Sequence, residues 1–171
     1  MNILFAGSPK SSSKILKYLA GLKEVYIKGA ITQPDKRGKR GVDLKDSEVS
    51  KVANALNLRV LKPISLDDKI FKDEIESLDI DFLVVVAYGK LLPKWLLQHP
   101  KIMPINVHFS ILPIYRGASP IQSALINGDS QSGVSFMQMT DALDEGPVIL
   151  NKSLEINKED NKITGKGKAL V

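Results

Sequence analysis

Phe82-Leu83-Val84-Val85-Val86-Ala87 is apolar on every consecutive residue, and a strand without alternation is one covered on both faces, as in a parallel sheet wrapped by helices. Outward from it, apolar runs of strand length alternate with stretches of helix length. Strands are expected at 2–8, 25–33, 59–62, 81–88, 104–109 and 134–139, with a hairpin-like return at 147–156. A first helix is expected from Pro9, a residue suited to a first helical turn, with Ile15, Leu16 and Leu19 facing inward. Others are expected at about 48–56, 67–78 and 119–127. This alternation predicts an α/β fold, a doubly wound, mostly parallel Rossmann-like sheet.

The chain has 171 residues, 43% hydrophobic and 25% charged, which is the size of one globular domain with a real core. It contains no cysteine, so thiol nucleophiles, disulfides and thiolate metal sites are excluded. The opening Ile3-Leu4-Phe5-Ala6 is too short for a signal peptide's apolar region and reads as a first strand, so a cytoplasmic protein is expected. No internal repeat is present.

The polar residues of Asn106-Val107-His108-Phe109-Ser110 stand at alternate positions, so the three share one face of a strand while Val107, Phe109 and Ile111 line the other. Burying an amide, an imidazole and a hydroxyl unpaired would cost about 1–3 kcal/mol each. The trio is therefore expected where the strand runs out into a cleft. A histidine is often a satisfied structural residue, but His108 is one of only two and sits on that polar face. The other, His99, between Gln98 and Pro100 at a helix end, reads as exposed or capping. His108 has no second histidine at ligand spacing and the acidic residues are scattered, so no metal is expected.

Between Lys36 and Lys45 the cations Lys36, Arg37, Lys39, Arg40 and Lys45 face a single acid, Asp43, which puts +4 of the net +5 into ten residues. Gly38 and Gly41 interrupt the run and no apolar period is present, so an exposed, mobile loop is expected. It is either a solvated solubility loop or a contact to a phosphate backbone. No aromatic residue lies within it to stack on bases.

Asn106-x-His108-x-Ser110-x-Leu112-Pro113-x-Tyr115-Arg116-Gly117-Ala118, then Pro120-Ile121-Gln122, Gly133-Val134, Met137-Gln138-Met139 and Leu143-Asp144-x-Gly146, resembles the catalytic domain of the formyltransferases that use 10-formyltetrahydrofolate. Phe5-Ala6-Gly7-Ser8-Pro9, Thr32-Gln33-Pro34-Asp35 with the basic stretch, and Val84-Val85-Val86-Ala87-Tyr88-Gly89-x-x-Leu92-Pro93 look like the same family's motifs, in its tRNA-directed branch. The likeness covers residues 1–156, which it implies are the catalytic domain. It further implies a helix, a linker and a C-terminal barrel after that point. Residues 157–171 therefore read as a shortened or truncated C-terminal segment without the barrel, and Asn161-Lys162-Ile163-Thr164-Gly165 looks too short for that helix.

Formyl transfer to an amine passes through a tetrahedral oxyanion, so a site must bind that oxygen, take a proton from the incoming nitrogen and protonate the departing one. By resemblance the catalytic residues are Asn106 as oxyanion donor, His108 as proton carrier and Asp144 as holder of the imidazolium and proton acceptor. Ser110 lacks a Gly-x-Ser-x-Gly elbow and orients its neighbours rather than forming an acyl-enzyme. The resemblance puts the pterin of the co-substrate against Tyr88, Gly89, Leu91 and Leu92 on one side. On the other stand Thr140, Asp141 and Leu143, with Ser110, Leu112 and Pro113 adding contacts, and Leu91, Leu92, Ile102 and Val107 as apolar walls. Arg116 is either an ion-pair partner or a contact beside the site, and Lys36, Arg37, Lys39 and Arg40 face the tRNA. One departure stands out: the family's basic loop usually runs into a proline-flanked serine, whereas Asp43, Asp46 and Glu48 surround Ser47 here.

The implied function is transfer of a formyl group to the amino group of methionyl initiator tRNA by a cytoplasmic monomer, with tRNA held weakly in the absence of the barrel. Two alternatives stay open: formylation of a nucleotide-linked amino sugar, and a folate-binding module that truncation has left without turnover.

Overall fold

The structure, a computed structural model, describes residues 1–37, 44–157 and 160. The chain forms two compact units, Met1–Pro104 and Ile105–Val171.

The first unit is the parallel part. Strand β1 (Asn2–Gly7) is followed by helix α1 (Lys10–Ala20), β2 (Tyr26–Ile31), the short β3 (Lys36–Arg37) and β4 (Leu44–Lys45), and α2 (Glu48–Ala55). Then come β5 (Val60–Leu61), α3 (Lys69–Glu76), β6 (Phe82–Val86) and α4 (Lys94–Gln98). Its sheet runs β5-β2-β1-β6 with every pairing parallel. The apolar run that opened the sequence is β6, aligned from Phe82 to Val86 with Ile3 to Gly7 of β1. Leu4, Phe5, Ala6, Leu83 and Val86 are fully buried, each large aliphatic or aromatic side chain contributing about 1.5–3 kcal/mol by leaving water. At the turn into α1, a Cβ on Gly7 would lie 2.7 Å from Ser12 Cβ and 2.8 Å from the Val86 carbonyl. Only glycine fits there, because Ser12 itself donates to that carbonyl at 2.5 Å.

Capping is local and legible. Ser47 accepts from the Ser50 N–H at the start of α2, and Asp68 from the Phe71 N–H at the start of α3. The basic stretch departs from the expected loop: its two ends, β3 and β4, pair antiparallel, Lys36 with Lys45 and Arg37 with Leu44. Lys62 closes the base of this hairpin by donating to Asp35 at 2.7 Å and to Asp46. Burial pulls the Lys62 ammonium down, yet the two carboxylates outweigh it and hold its pKa above the ordinary lysine value. Residues 38–43, including Lys39 and Arg40, lie outside the described residues, as does the segment 161–165.

The second unit is antiparallel. It comprises the end of β7 (Met103–His108), α5 (Pro120–Ile126), β8 (Gln131–Gln138) and β9 (Val148–Glu155), in the order β7-β8-β9 with Asn106 opposite Met137 and His108 opposite Ser135. Val107, Phe109, Ala124, Val134 and Met137 are buried within it. Gly133 sits where β9 and the loop after β7 crowd β8, a Cβ there falling 2.2 Å from the Lys152 carbonyl.

Candidate active site

Strand β7 delivers Asn106 and His108, and ends there. Asn106 is half-buried, while His108 is buried at 6% exposure. Ser110 lies beyond the strand and is wholly buried, its hydroxyl donating to the Ile114 carbonyl at 2.5 Å. So the expected polar face has two members on the strand, and the third shapes the turn that follows.

Asp144 comes from the connection between β8 and β9. The chain doubles back on the end of β8 there, with the Gln138 N–H donating to the Pro147 carbonyl at 2.9 Å. A Cβ on Gly146 would stand 1.8 Å from the Gln138 carbonyl oxygen, which explains the glycine of Leu143-Asp144-x-Gly146. Asp144 itself adopts φ +52°, a left-handed conformation that short polar residues tolerate better than most.

The carboxylate is 8% exposed and well supplied with donors. Its Oδ1 accepts from Asn106 Nδ2 at 3.3 Å, and its Oδ2 from the Gly117 backbone N–H at 2.7 Å. His108 Nδ1 stands 3.6 Å from the same Oδ2. The other imidazole nitrogen, Nε2, is 2.9 Å from the Tyr115 carbonyl. A carbonyl only accepts, so Nε2 carries the hydrogen in this contact. A carboxylate so nearly removed from water requires such partners. The geometry therefore brings Asn106, His108 and Asp144 together: an amide with a second N–H, an imidazole and a carboxylate within one unit.

The residues around this trio divide into supports and exposed neighbours. Ser135, fully buried on β8, accepts from the Leu112 N–H at 2.9 Å and lies within hydrogen-bond reach of the Ser110 carbonyl and Asn151 Oδ1. Neither Ser135 nor the Tyr115 and Gly117 backbone groups emerged from the sequence reading. An isolated serine between Val134 and Phe136 was the available signal for the first, whereas backbone contacts leave none. Leu112 is buried and Pro113 exposed. Arg116 pairs with Glu145 at 3.4 Å, both half-exposed, so its ion-pair role is present and adjoins Asp144 in sequence. Thr140, Asp141 and Leu143 are exposed.

In the first unit, the Tyr88 carbonyl accepts from Gln33 Nε2 at 3.0 Å and from Ser8 Oγ at 3.4 Å, tying the ends of β1, β2 and β6 together. The Tyr88 ring is 2% exposed and its hydroxyl has no partner among the described residues. Burial pushes that phenol up to about 12. Gly89 has φ +86°, the left-handed region glycine enters freely. Leu91 is exposed and Leu92 half-buried; Ile102 is exposed, but Val107 is a core residue at 5% rather than an open wall. His99 is half-buried rather than exposed and stands at the C-cap position of α4, as expected, with Nε2 3.1 Å from the Leu78 carbonyl beyond α3. Among the described residues no group of three or more His, Asp or Glu is arranged to hold a metal ion, and no helix is long and apolar enough to cross a membrane.

An α/β chain that sets an amide, an imidazole and a carboxylate together at a strand end has a hydrogen-bond donor beside two groups able to carry a proton, the parts that acid–base group transfer uses. Comparison with known proteins narrows this. The family model described as formyl transferase matches residues 1–168. The methionyl-tRNA formyltransferase of Thermodesulfovibrio yellowstonii is 44% identical over 162 residues, covering 95% of this chain and 52% of the relative. That of Buchnera aphidicola subsp. Baizongia pistaciae is 39% identical over 171 residues, covering 100% of this chain and 53% of the relative. Among solved structures, glycinamide ribonucleotide transformylase 1 from Symbiobacterium toebii superposes with a TM-score of 0.79 at 19% identity, over 99% of this chain and 80% of that one. A sugar N-formyltransferase from Shewanella sp FDAARGOS_354 does so with 0.69 at 16%, over 99% and 63%. The chain belongs to the formyl transferase family, and its fold is the mostly parallel α/β fold of that type. It spans about half the length of the curated relatives it matches.

Proposed function

We propose that this chain is the catalytic part of an enzyme that moves a formyl group from 10-formyltetrahydrofolate to the amino group of methionyl initiator tRNA. The observation that carries the reading is Asp144: one buried carboxylate that gathers Asn106, the Gly117 N–H and His108. The names of the relatives supply the acceptor.

In this reading each group has one task. Asn106 has two amide hydrogens; one is given to Asp144 and the other faces the oxyanion that develops on the formyl carbon. A single preorganised donor of this kind is typically worth 10²–10³ in turnover. Asp144, as carboxylate, takes the proton released by the attacking amine, directly or through water. His108, 3.6 Å away through Nδ1, balances that charge and returns the proton to the departing nitrogen of the folate. The folate supplies the activated formyl group and no metal takes part.

Both loops assigned to the pterin leave an aliphatic side chain in solvent, Leu91 at 78% and Leu143 at 61%, which suits an aromatic ring system that needs apolar cover. Tyr88, Gly89, Leu92, Leu112, Pro113, Thr140 and Asp141 complete this contact set, while Ser110, buried and committed to Ile114, supports it from behind. Lys36, Arg37, Lys39, Arg40 and Arg116 are the cations assigned to tRNA phosphates, which position a nucleic acid without reading its bases. Residues 1–156 are the catalytic domain of this reading, and the setting is the cytoplasm.

The experiment is incubation of the chain with 10-formyltetrahydrofolate and either methionyl-tRNA or a nucleotide-linked amino sugar, following release of tetrahydrofolate. Release that depends on methionyl-tRNA is expected. Release with the amino sugar alone would move the acceptor, and folate binding without release from either would make the chain a binding module.

A further inference from the structure

The segment 113–117 reaches the His108–Asp144 pair twice through its backbone, and both contacts depend on unusual conformations. The Tyr115 carbonyl is 2.9 Å from His108 Nε2, and two residues on, the Gly117 N–H donates to Asp144 Oδ2 at 2.7 Å. Gly117 has φ +95°, which costs a glycine nothing. Tyr115 has φ +57°, a left-handed conformation that an aromatic residue adopts only when its surroundings over-determine it.

Those surroundings are at the far end of its side chain. The Tyr115 hydroxyl donates to Asp129 Oδ2 at 2.6 Å and accepts from Asn127 Nδ2 at 2.6 Å. Asn127 is the C-terminal cap of α5 and Asp129 lies two residues later, so the phenol is fastened to the α5–β8 connection. The hydrogen bond to the Asp129 carboxylate also holds the phenol pKa above its ordinary value, keeping the O–H a donor.

We infer that Tyr115 is a positioning residue: its phenol, anchored on Asp129 and Asn127, turns its own carbonyl onto His108 Nε2 and so fixes the imidazole's tautomer and orientation beside Asp144. With Nε2 donating to that carbonyl, Nδ1 is the ring nitrogen left facing Asp144, the one through which His108 exchanges a proton with it. Without the anchor the carbonyl swings away and either nitrogen can carry the hydrogen. The inference rests on the reading of Asn106, His108 and Asp144 as the reacting groups.

The test reads the imidazole itself. In the full chain labelled with nitrogen-15 histidine, at a pH well above the ordinary histidine range, the two His108 ring nitrogens are expected to resonate far apart, as one Nε2–H tautomer. A His99→Gln variant removes the second histidine's signals. In Tyr115→Phe, and in Asp129→Ala, which keeps the tyrosine should the first variant fold poorly, the two resonances are expected to converge. Asp129→Asn retains an acceptor oxygen and should stay near wild type. Unchanged His108 nitrogens in both Tyr115→Phe and Asp129→Ala would overturn the inference. In formyl transfer, kcat should fall about tenfold in those two variants, part of a proton-transfer contribution, with KM for 10-formyltetrahydrofolate within twofold. Wild-type kcat in both would equally overturn it. Wild-type turnover in His108→Gln would instead remove the reading on which it rests, while the tautomer measurement would still report on Tyr115.

Discussion

The two units spend their buried polar groups differently. Among the described residues of Met1–Pro104 the buried polar ones are all hydroxyls, Ser11, Ser12, Ser13, Thr32 and Ser50. Ser12 bonds the Val86 carbonyl, Ser13 the Lys10 carbonyl, Thr32 the capping Ser47 at 2.6 Å and Ser50 the Asp46 carboxylate, while the Ser11 hydroxyl has no partner among the described residues. In Ile105–Val171 the set is His108, Ser110, Ser135 and Asp144, two of them ionisable and 3.6 Å apart. Hydroxyls tied to backbone hold strand ends and helix starts in place and ask little of the surroundings. An imidazole and a carboxylate buried together are costly unless paired, so a fold keeps them where chemistry needs them. Under the proposed function, this contrast makes the parallel unit the scaffold and the antiparallel unit the reactive one.

That comparison breaks most sharply at Asn106. If Asn106 is the oxyanion donor of the proposed function, replacing it by alanine is expected to lower turnover by about 10²–10³-fold, with folate affinity, measured by fluorescence titration, nearly unchanged. A similar loss from Thr32→Val, a buried hydroxyl of the first unit, would erase the distinction between the units.

A smaller effect separates two glycines. Gly146→Ala drives a Cβ into the Gln138 carbonyl and should cost about 1–3 kcal/mol in urea unfolding, as overpacking against backbone does, while also displacing Asp144 and lowering turnover. Gly89→Ala, in the first unit at φ +86° but with open space around its Cβ, should cost about 1 kcal/mol of conformational strain. Equal costs would mean that close approach to β8 does not hold the Asp144 turn.

The smallest effect belongs to Tyr88. Its buried hydroxyl has no partner among the described residues, so Tyr88→Phe should change stability little or raise it by about 1 kcal/mol. Its folded pKa of about 12 lies above the ordinary value of 10.0, so the wild type keeps this stability below pH 10 and loses it as pH rises towards 12. The Phe variant should lack that alkaline loss in urea midpoints taken across this range.

Much of this was readable beforehand because burial and period act locally. Phe82–Val86 is uniformly apolar and pairs as β6, and the hydroxyl and carboxylate caps stand where α2 and α3 begin. The alternation of Asn106 and His108 held, since two residues on one strand face need no knowledge of the rest of the chain. Helix α4 was legible only as a helix end before Pro100, its extent hidden because Lys94-Trp95-Leu96-Leu97-Gln98 is too short to show a period, and β3 and β4 escaped notice because two paired residues leave no alternation. The turn of Leu143-Asp144-x-Gly146 was visible, but its reason, a carbonyl 1.8 Å from an absent Cβ, is a tertiary contact. Tyr115 was hidden for the same reason: its carbonyl and its phenol bind residues 7 and 14 positions away, and its left-handed backbone has no signature in an aromatic residue.

The central claim is that Asp144 is a proton acceptor and not only a ligand to its neighbours. Asp144→Asn keeps the shape and the contact to Asn106 while discarding the charge. Measured as tetrahydrofolate release in the presence of methionyl-tRNA, its turnover should fall by about 10²–10⁴-fold while folate binding persists. Near-wild-type turnover in Asp144→Asn, or a loss confined to folate affinity, would contradict the account.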